Sequence, residues 1–296
     1  MIYNRNKKIL SKKDNFEKMN VVNQKMSKPG SKWLFRYDKI AISGLLLFLD
    51  IFPALSSDSP FLPGETIVYK VFYNWNFIWL SAGEVSFEVK DEGDVYHIEV
   101  TGKTYTSYEW FYKVRDKFHT YLDKKTLMPR LFIRDIQEGS YQHYEKIVFD
   151  YPTQKIQSFV GKSIGTAKKT ELPMEDKLYD LISSLYYLRT VDRSLLKSKT
   201  RIPFKMILDN EIYKMDITSS EVSKVSVKES GNYQVIKCIT QVIAGNVFRS
   251  NTSLKVNVGD DDNRLPVLIE SPLSVGSVKA VLKTATNLKY PHSSRM

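Results

Sequence analysis

A single cysteine, Cys238, stands in 296 residues, so no intramolecular disulfide can form in any compartment. Histidine is nearly as scarce. His97, His119, His143 and His292 lack zinc-like spacing, and on that ground no metal site is expected. A Gly-rich phosphate loop, an H-E-x-x-H pair and a CxxC are all missing, so the nucleotide-binding, zinc-peptidase and dithiol classes find no support and no cofactor is expected. No apolar run is long enough for a comfortable membrane span. The longest, Ile40 to Leu55 within AISGLLLFLDIFPALSSDSP, has 16 residues. As a helix it would extend about 24 Å, short of the roughly 30 Å hydrocarbon core. Asp50 would cost on the order of 3 kcal/mol near a helix centre, and Pro53 stops the helix.

The flanks of this run point to export. Lys28, Lys32, Arg36 and Lys39 precede it and Ala54-Leu55-Ser56 follows, which is the order of a secretory signal peptide with a small-x-small cleavage site. Translation starting at Met19 or Met26 would bring the leader toward its usual length. The expected division is an extension and leader over 1–56 and one β-rich domain over 57–296, in the periplasm or outer cell envelope. An uncleaved signal-anchor with a basic cytoplasmic tail is the alternative, and is then the chain's only membrane contact. A buried core helix fits least well.

Charge follows the same division. Residues 1–56 carry 11 basic and 4 acidic residues, which leaves the rest of the chain a net charge of only +4 out of +11. The pI near 9.3 therefore belongs mostly to the leader. No recognition-helix or stacking motif follows, so nucleic acid is not expected as a partner.

After the leader the chain is written in period two. ETIVYKVFY places Ile67, Tyr69, Val71 and Tyr73 on one side, GEVSFEV does so with Val85, Phe87 and Val89, and YHIEVTG with Tyr96, Ile98 and Val100. That is the pattern of half-buried antiparallel strands. Further runs of this kind, Tyr213 to Ile217 and Lys224 to Lys228 among them, reach to Ser277–Thr284, separated by turns such as Asp91-Glu92-Gly93-Asp94 and Glu229-Ser230-Gly231-Asn232. Cys238 alternates with Ile236 and Thr240 and is expected to be a buried strand residue rather than a reactive thiol.

One segment breaks the rhythm. Residues 176–189 set Leu178, Leu181, Ile182, Leu185 and Leu188 on one helical face, with Glu175, Asp176 and Asp180 near the start and Arg189 near the end, as the helix dipole prefers. Asp176 and Asp180 could be read as paired carboxylates, but helix-end electrostatics is the plainer account. The expected fold is all-β, a large curled antiparallel sheet or open half-barrel with one amphipathic helix packed on it. The acidic run Gly259–Asn263 is expected to be a tight turn rather than a calcium loop, since it lacks the rest of an EF-hand.

Several short segments, in order, resemble a known family. They are Gly64-Glu65 with Tyr69 and Tyr73, Ala82-Gly83-Glu84, Arg115-Asp116, Asp123 with Pro129, Asp180-Leu181 with Tyr187-Leu188-Arg189, Asp261–Pro266 (DDNRLP), and Val275-Gly276-Ser277-Val278. Across about residues 63–289 they look like the bacterial exported proteins of domain-of-unknown-function family 3108. The resemblance implies a signal peptide, an envelope location and an all-β fold, and it implies no catalytic residues. The strand-plus-helix pattern is similar to the half-barrel of periplasmic lipoprotein carriers, an analogy of architecture alone.

Register supplies one candidate polar cluster. If 114–122, 131–138 and the strand from Tyr141 form consecutive hairpins, one face carries Val114, Phe118, Leu122, Phe132, Ile136, Ile147 and Phe149, interrupted by Asp116, Arg134, His143 and Glu145. Arg134 then lies opposite Glu145 and diagonal to Asp116, within reach of a paired network. A structural ion cluster and a functional site both remain open, as does a solvent-facing arrangement if the register slips by one. Two function classes follow. One is a non-enzymatic envelope protein sheltering an apolar ligand, such as a lipid, or a partner segment; YKVFYNWNFIW (69–79) would supply a core or a ligand wall. The other is an envelope hydrolase using Asp116, His143 and Glu145. A membrane-anchored interaction protein and a transmembrane β-barrel are weaker alternatives, the barrel because of the helical segment. Oligomeric state is not legible.

Overall fold

In the computed structural model the described residues are 59–75, 78–110, 112–174, 177–241, 253–273 and 276–296. Residues 1–58, where the expected leader and cleavage site fall, lie outside them, as do Glu175 and Asp176. Fourteen strands run in chain order: β1 (Thr66–Trp75), β2 (Ile78–Glu92), β3 (Val95–Thr104), β4 (Arg115–Asp123), β5 (Pro129–Glu138), β6 (Tyr141–Asp150), β7 (Lys155–Gly161), β8 (Lys168–Pro173), β9 (Arg201–Leu208), β10 (Glu211–Val227), β11 (Gly231–Gln241), β12 (Ser253–Gly259), β13 (Pro266–Pro272) and β14 (Ser277–Thr286). Between β8 and β9 come two helices, α1 (Leu181–Thr190) and α2 (Arg193–Lys197).

All fourteen strands form one antiparallel sheet in the order β8-β7-β6-β5-β4-β3-β2-β1-β14-β13-β12-β11-β10-β9. Sequence neighbours pair throughout except β8 and β9, which form the two edges, and β1 joins β14, so the chain makes two meanders seamed at its ends. The sheet is not closed. Tyr179, just before α1, covers the β9 edge: its N–H donates to Lys205 O and its carbonyl accepts from Ile207 N–H. The other edge, β8, carries Lys168, Lys169 and Pro173, which discourage further strand addition.

The period-two face is the core face. Ile67, Tyr69, Phe87, Val89, Ile98, Val100, Leu122, Phe132, Ile147 and Phe149 are buried in one cluster with Ile182 and Tyr186 of α1 and with Val235 and Val267 from the second meander. A smaller cluster joins Leu188, Val191 and Leu196 to Ile202, Ile217, Ile236, Cys238 and Val256. The helices thus occupy the concave side, α1 bridging the two clusters. Two glycines from the family-like segments are required by space. A Cβ on Gly83 would sit 2.2 Å from Lys103 O, and one on Gly276, itself at φ +76°, would sit 2.1 Å from Asn74 O.

Three expectations are corrected. Among the described residues there are two α-helices, not one, because Asp192 caps a second short helix through Ser194 N–H and Leu195 N–H. The first helix begins at Leu181, so Leu178 is buried ahead of it rather than on its face. The runs expected at 213–217 and 224–228 belong to one 17-residue strand, β10, bent by an irregularity between Ser219 and Val222.

Asp180 is the N-cap of α1. One carboxylate oxygen accepts from Ile182 N–H at 2.8 Å, Ser183 N–H at 2.9 Å and the Thr120 hydroxyl at 2.9 Å, and the Ser183 hydroxyl accepts from Asp180 N–H to complete a capping box. Burial pushes this carboxyl up to about 6, against the lowering effect of its hydrogen bonds. A raised native pKa means that the folded state holds a proton the unfolded state has released. This contribution to stability is present below about pH 4 and is lost as pH rises through about 6. Asp180→Asn keeps a good cap without the titration. Its urea midpoint is therefore expected to rise relative to wild type between pH 4 and pH 7; a constant difference would refute the assignment.

Candidate functional site

The structure places the four residues of the polar cluster on the concave face, in the expected register. Arg134 pairs with Glu145 across β5 and β6, and Ile136 with His143. Arg134 Nη2 lies 3.1 Å from Glu145 Oε2 and 2.8 Å from His143 Nε2. Asp116 does not join them. Its carboxylate accepts from Gln137 N–H at 3.1 Å, and burial, reinforced by Glu138 and Asp135, pushes it up to about 7.

The fourth member of the cluster comes from far along the chain. Asp209 sits in the two-residue β9–β10 turn with Asn210, both at positive φ, the conformation of a type I′ hairpin that short polar residues tolerate. Its carboxylate contacts Arg134, lies 3.0 Å from His143 Nε2, and its N–H donates to Glu145 Oε1 at 2.7 Å. Burial raises Glu145 despite Arg134. Burial also opposes the Asp209 charge, but the His143 hydrogen bond and the Arg134 charge outweigh it and hold Asp209 below its usual range. His143, Glu145 and Asp209 could be grouped as metal ligands, yet the Arg134 guanidinium already supplies the cation among them. His143 Nε2 faces that guanidinium and a carboxylate, which makes the cluster an ionic clasp holding the β9–β10 turn onto β6.

A second polar assembly centres on Arg189, in the last turn of α1. Arg189, read as a helix-end charge, is 2% exposed and forms a bidentate pair with the fully buried Glu65, at 2.6 and 2.8 Å. Its remaining donors reach Asn263 O at 3.1 Å and Pro60 O at 3.3 Å. Burial opposes the charge, but Glu65 more than compensates and raises the Arg189 pKa. The guanidinium lies 5.5 Å from the ring centroid of Phe61 and 5.2 Å from that of Tyr186. The DDNRLP loop closes the assembly. Asp261 accepts from Asn263 N–H, Arg264 N–H and Ser294 N–H, and the Asn263 amide donates to Tyr290 O and Pro291 O. Asp260 is held by Arg193 and Lys197. Protein donors thus engage these acids as in a turn. Three family-like segments, Gly64-Glu65, Tyr187-Leu188-Arg189 and DDNRLP, meet here, although 124 residues separate Glu65 from Arg189 and 74 separate Arg189 from Asn263.

In front of Phe61 and Tyr186 lies a cavity of about 790 Å³. Its walls come from the β4–β5 turn (Leu122, Leu127, Met128), Tyr151 after β6, and Tyr179, Tyr187 and Thr190 around α1, with Lys125 and Lys177 among its exposed lining residues. Tyr179 stacks on Tyr187 at 4.5 Å, and the Tyr151 hydroxyl donates to Pro129 O, which leaves aromatic faces as wall. None of the described residues of YKVFYNWNFIW lines it; Tyr69 belongs to the packed core.

Two reactive-looking features are structural. Cys238 is buried, and burial pushes its thiol up to about 12. Gly161-Lys162-Ser163-Ile164-Gly165 matches G-x-S-x-G, the pattern of a nucleophile elbow. It lies in the exposed turn between β7 and β8, where Ser163 bonds Thr166, not at a strand-to-helix elbow.

Comparison with known proteins agrees with this architecture. A family model described as "Protein of unknown function (DUF3108)" matches residues 68–283. No curated protein matches the chain in sequence. Among solved structures, the crystal structure of a β-barrel-like protein of domain of unknown function DUF1849 from Brucella abortus is similar with a TM-score of 0.53 at 8% identity, covering 77% of this chain and 100% of that one. At that identity the likeness concerns the fold alone.

Proposed function

The chain belongs to the DUF3108 family, and from that premise we propose that it is an exported envelope protein that binds an elongated apolar ligand of the lipid class without transforming it. The cavity beside α1 carries this reading. Its volume of about 790 Å³ falls within the roughly 300–1,000 Å³ of small-molecule sites, and its walls are mostly apolar and aromatic. Lys125 suits an anionic head group placed at the mouth, with the chain of the ligand running inward over Met128, Tyr151 and Tyr186. The Glu65–Arg189 pair behind Phe61 and Tyr186 preorganises the back wall.

Location rests on the leader. A basic stretch, an apolar stretch and a small-x-small site precede the domain, in the order that directs secretion. One observation weighs against a membrane-spanning barrel as the alternative. The sheet stays open, and lipid does not tolerate an unpaired strand edge.

The test is competitive binding of a dansylated undecanoic acid to the delipidated protein. Wild type is expected to enhance the dansyl emission, and Thr190→Trp, which fills the cavity from the end of α1, is expected to lower affinity at least tenfold without changing the melting temperature. Equal binding by the filled variant would move the ligand elsewhere and end this proposal.

A further inference from the structure

We propose that His97, Glu99 and His119 form a binding site for a divalent transition metal, zinc above all, on the convex face of the sheet. On β3, Ile98 and Val100 point into the core, so the alternate residues His97 and Glu99 point outward. Register then sets Glu99 directly opposite His119 and His97 opposite Tyr121. His97 Nε2 lies 2.9 Å from His119 Nδ1, and one ligand atom from each of the three residues lies within 4.8 Å of the others. Two imidazoles and one carboxylate are a ligand set that zinc accepts, with a further position left for water or a substrate atom.

The surroundings are those of a supported site. His97 Nδ1 lies 2.6 Å from Glu92 Oε1, the carboxylate partner that orients a ligating histidine through its other ring nitrogen. A carboxylate accepts only, so this contact fixes the proton on Nδ1 and leaves the Nε2 lone pair to accept from His119 Nδ1–H, a proton that an incoming metal replaces. The ring is also stacked on Tyr121 at 4.3 Å and 7°, which holds its plane. The ligand nitrogens therefore start out placed rather than free to rotate.

Besides the His119 proton, a cationic side chain opposes the metal. Lys90 Nζ lies 2.6 Å from Glu99 Oε2 and 3.6 Å from Glu88, so an incoming cation displaces an ammonium from Glu99. Lys117 on β4 adds to the positive side, and Glu88 and Glu92 to the negative. This differs from the inner cluster. There the guanidinium reaches both His143 and Glu145; here the lysine reaches the carboxylate, and the two imidazoles keep each other's company.

Chelator-treated full chain titrated with zinc chloride by calorimetry, and with cobalt(II) by visible absorption, decides the matter. The expected result is one zinc per chain and cobalt d–d bands. Glu99→Gln and His119→Ala should each weaken binding at least tenfold, and Glu92→Gln by roughly 10–100-fold. Lys90→Met should tighten binding, an effect that a purely structural cluster would not produce, and His143→Ala should leave it unchanged. Circular dichroism checks folding, and the near-isosteric Glu99→Gln carries the test should His119→Ala misfold. No zinc uptake by wild type, unchanged affinity in Glu99→Gln, or loss of binding only in His143→Ala would each overturn the proposal.

Discussion

Arg189→Met is expected to lower unfolding stability by about 3–5 kcal/mol, the usual cost of removing one partner from a buried ion pair. Glu65 would be left fully buried without its bidentate partner, and the carbonyls of Asn263 and Pro60 would lose a donor. Most of that cost is the desolvated carboxylate rather than the worth of the pair. The double variant Glu65→Gln with Arg189→Met should therefore recover part of the loss, even though it removes more polar atoms. Urea denaturation of the three proteins measures this. A single-variant loss below about 1 kcal/mol would mean that Glu65 is not buried as described. The same substitution should weaken dansyl-lipid binding, because Phe61 and Tyr186 lose the guanidinium that spans them.

Phe132→Ala is expected to cost about 3–5 kcal/mol, the range for truncating a buried aromatic residue. Phe132 is fully buried, faces Thr120 on β4 and Ile147 on β6, and belongs to the main cluster. Truncation there opens a void that the surrounding strands cannot collapse into. Met128→Ala, at the cavity, should cost clearly less, because its side chain already borders open space on one side. Equal costs at the two positions would mean that the concave face is packed uniformly and leaves no ligand cavity beside α1.

What could be read from sequence was local or periodic. Alternation identified the strands and their inward faces, and turn residues fixed the β4–β5–β6 register well enough to set Arg134 opposite Glu145. The α1 segment was visible from its leucines, but its start was not. Asp180 stands at the cap rather than in the first turn, a difference of cap geometry that hydrophobic spacing does not carry. Residues whose partners come from distant strands were lost. Arg189 at a helix end has a sufficient local explanation, so nothing in its neighbourhood points to Glu65, 124 residues away. Asp209 was hidden in a two-residue turn, and only the curl of the sheet carries that turn to β6. His97 and His119 fit no ligand spacing along the chain because they are diagonal neighbours on paired strands, 22 residues apart. The family-like segments held the missing signal for Arg189, since three of them converge on its side chain.

The central claim is that this domain carries an apolar ligand in the cavity beside α1. Native mass spectrometry of the protein purified from its own envelope fraction, followed by lipid extraction, tests it most directly. The account predicts a mass above that of the polypeptide by one lipid-sized ligand, recovered in the extract and absent from Thr190→Trp, on a chain beginning near residue 57. A ligand-free wild-type mass, with an extract indistinguishable from that of the filled variant, would contradict it.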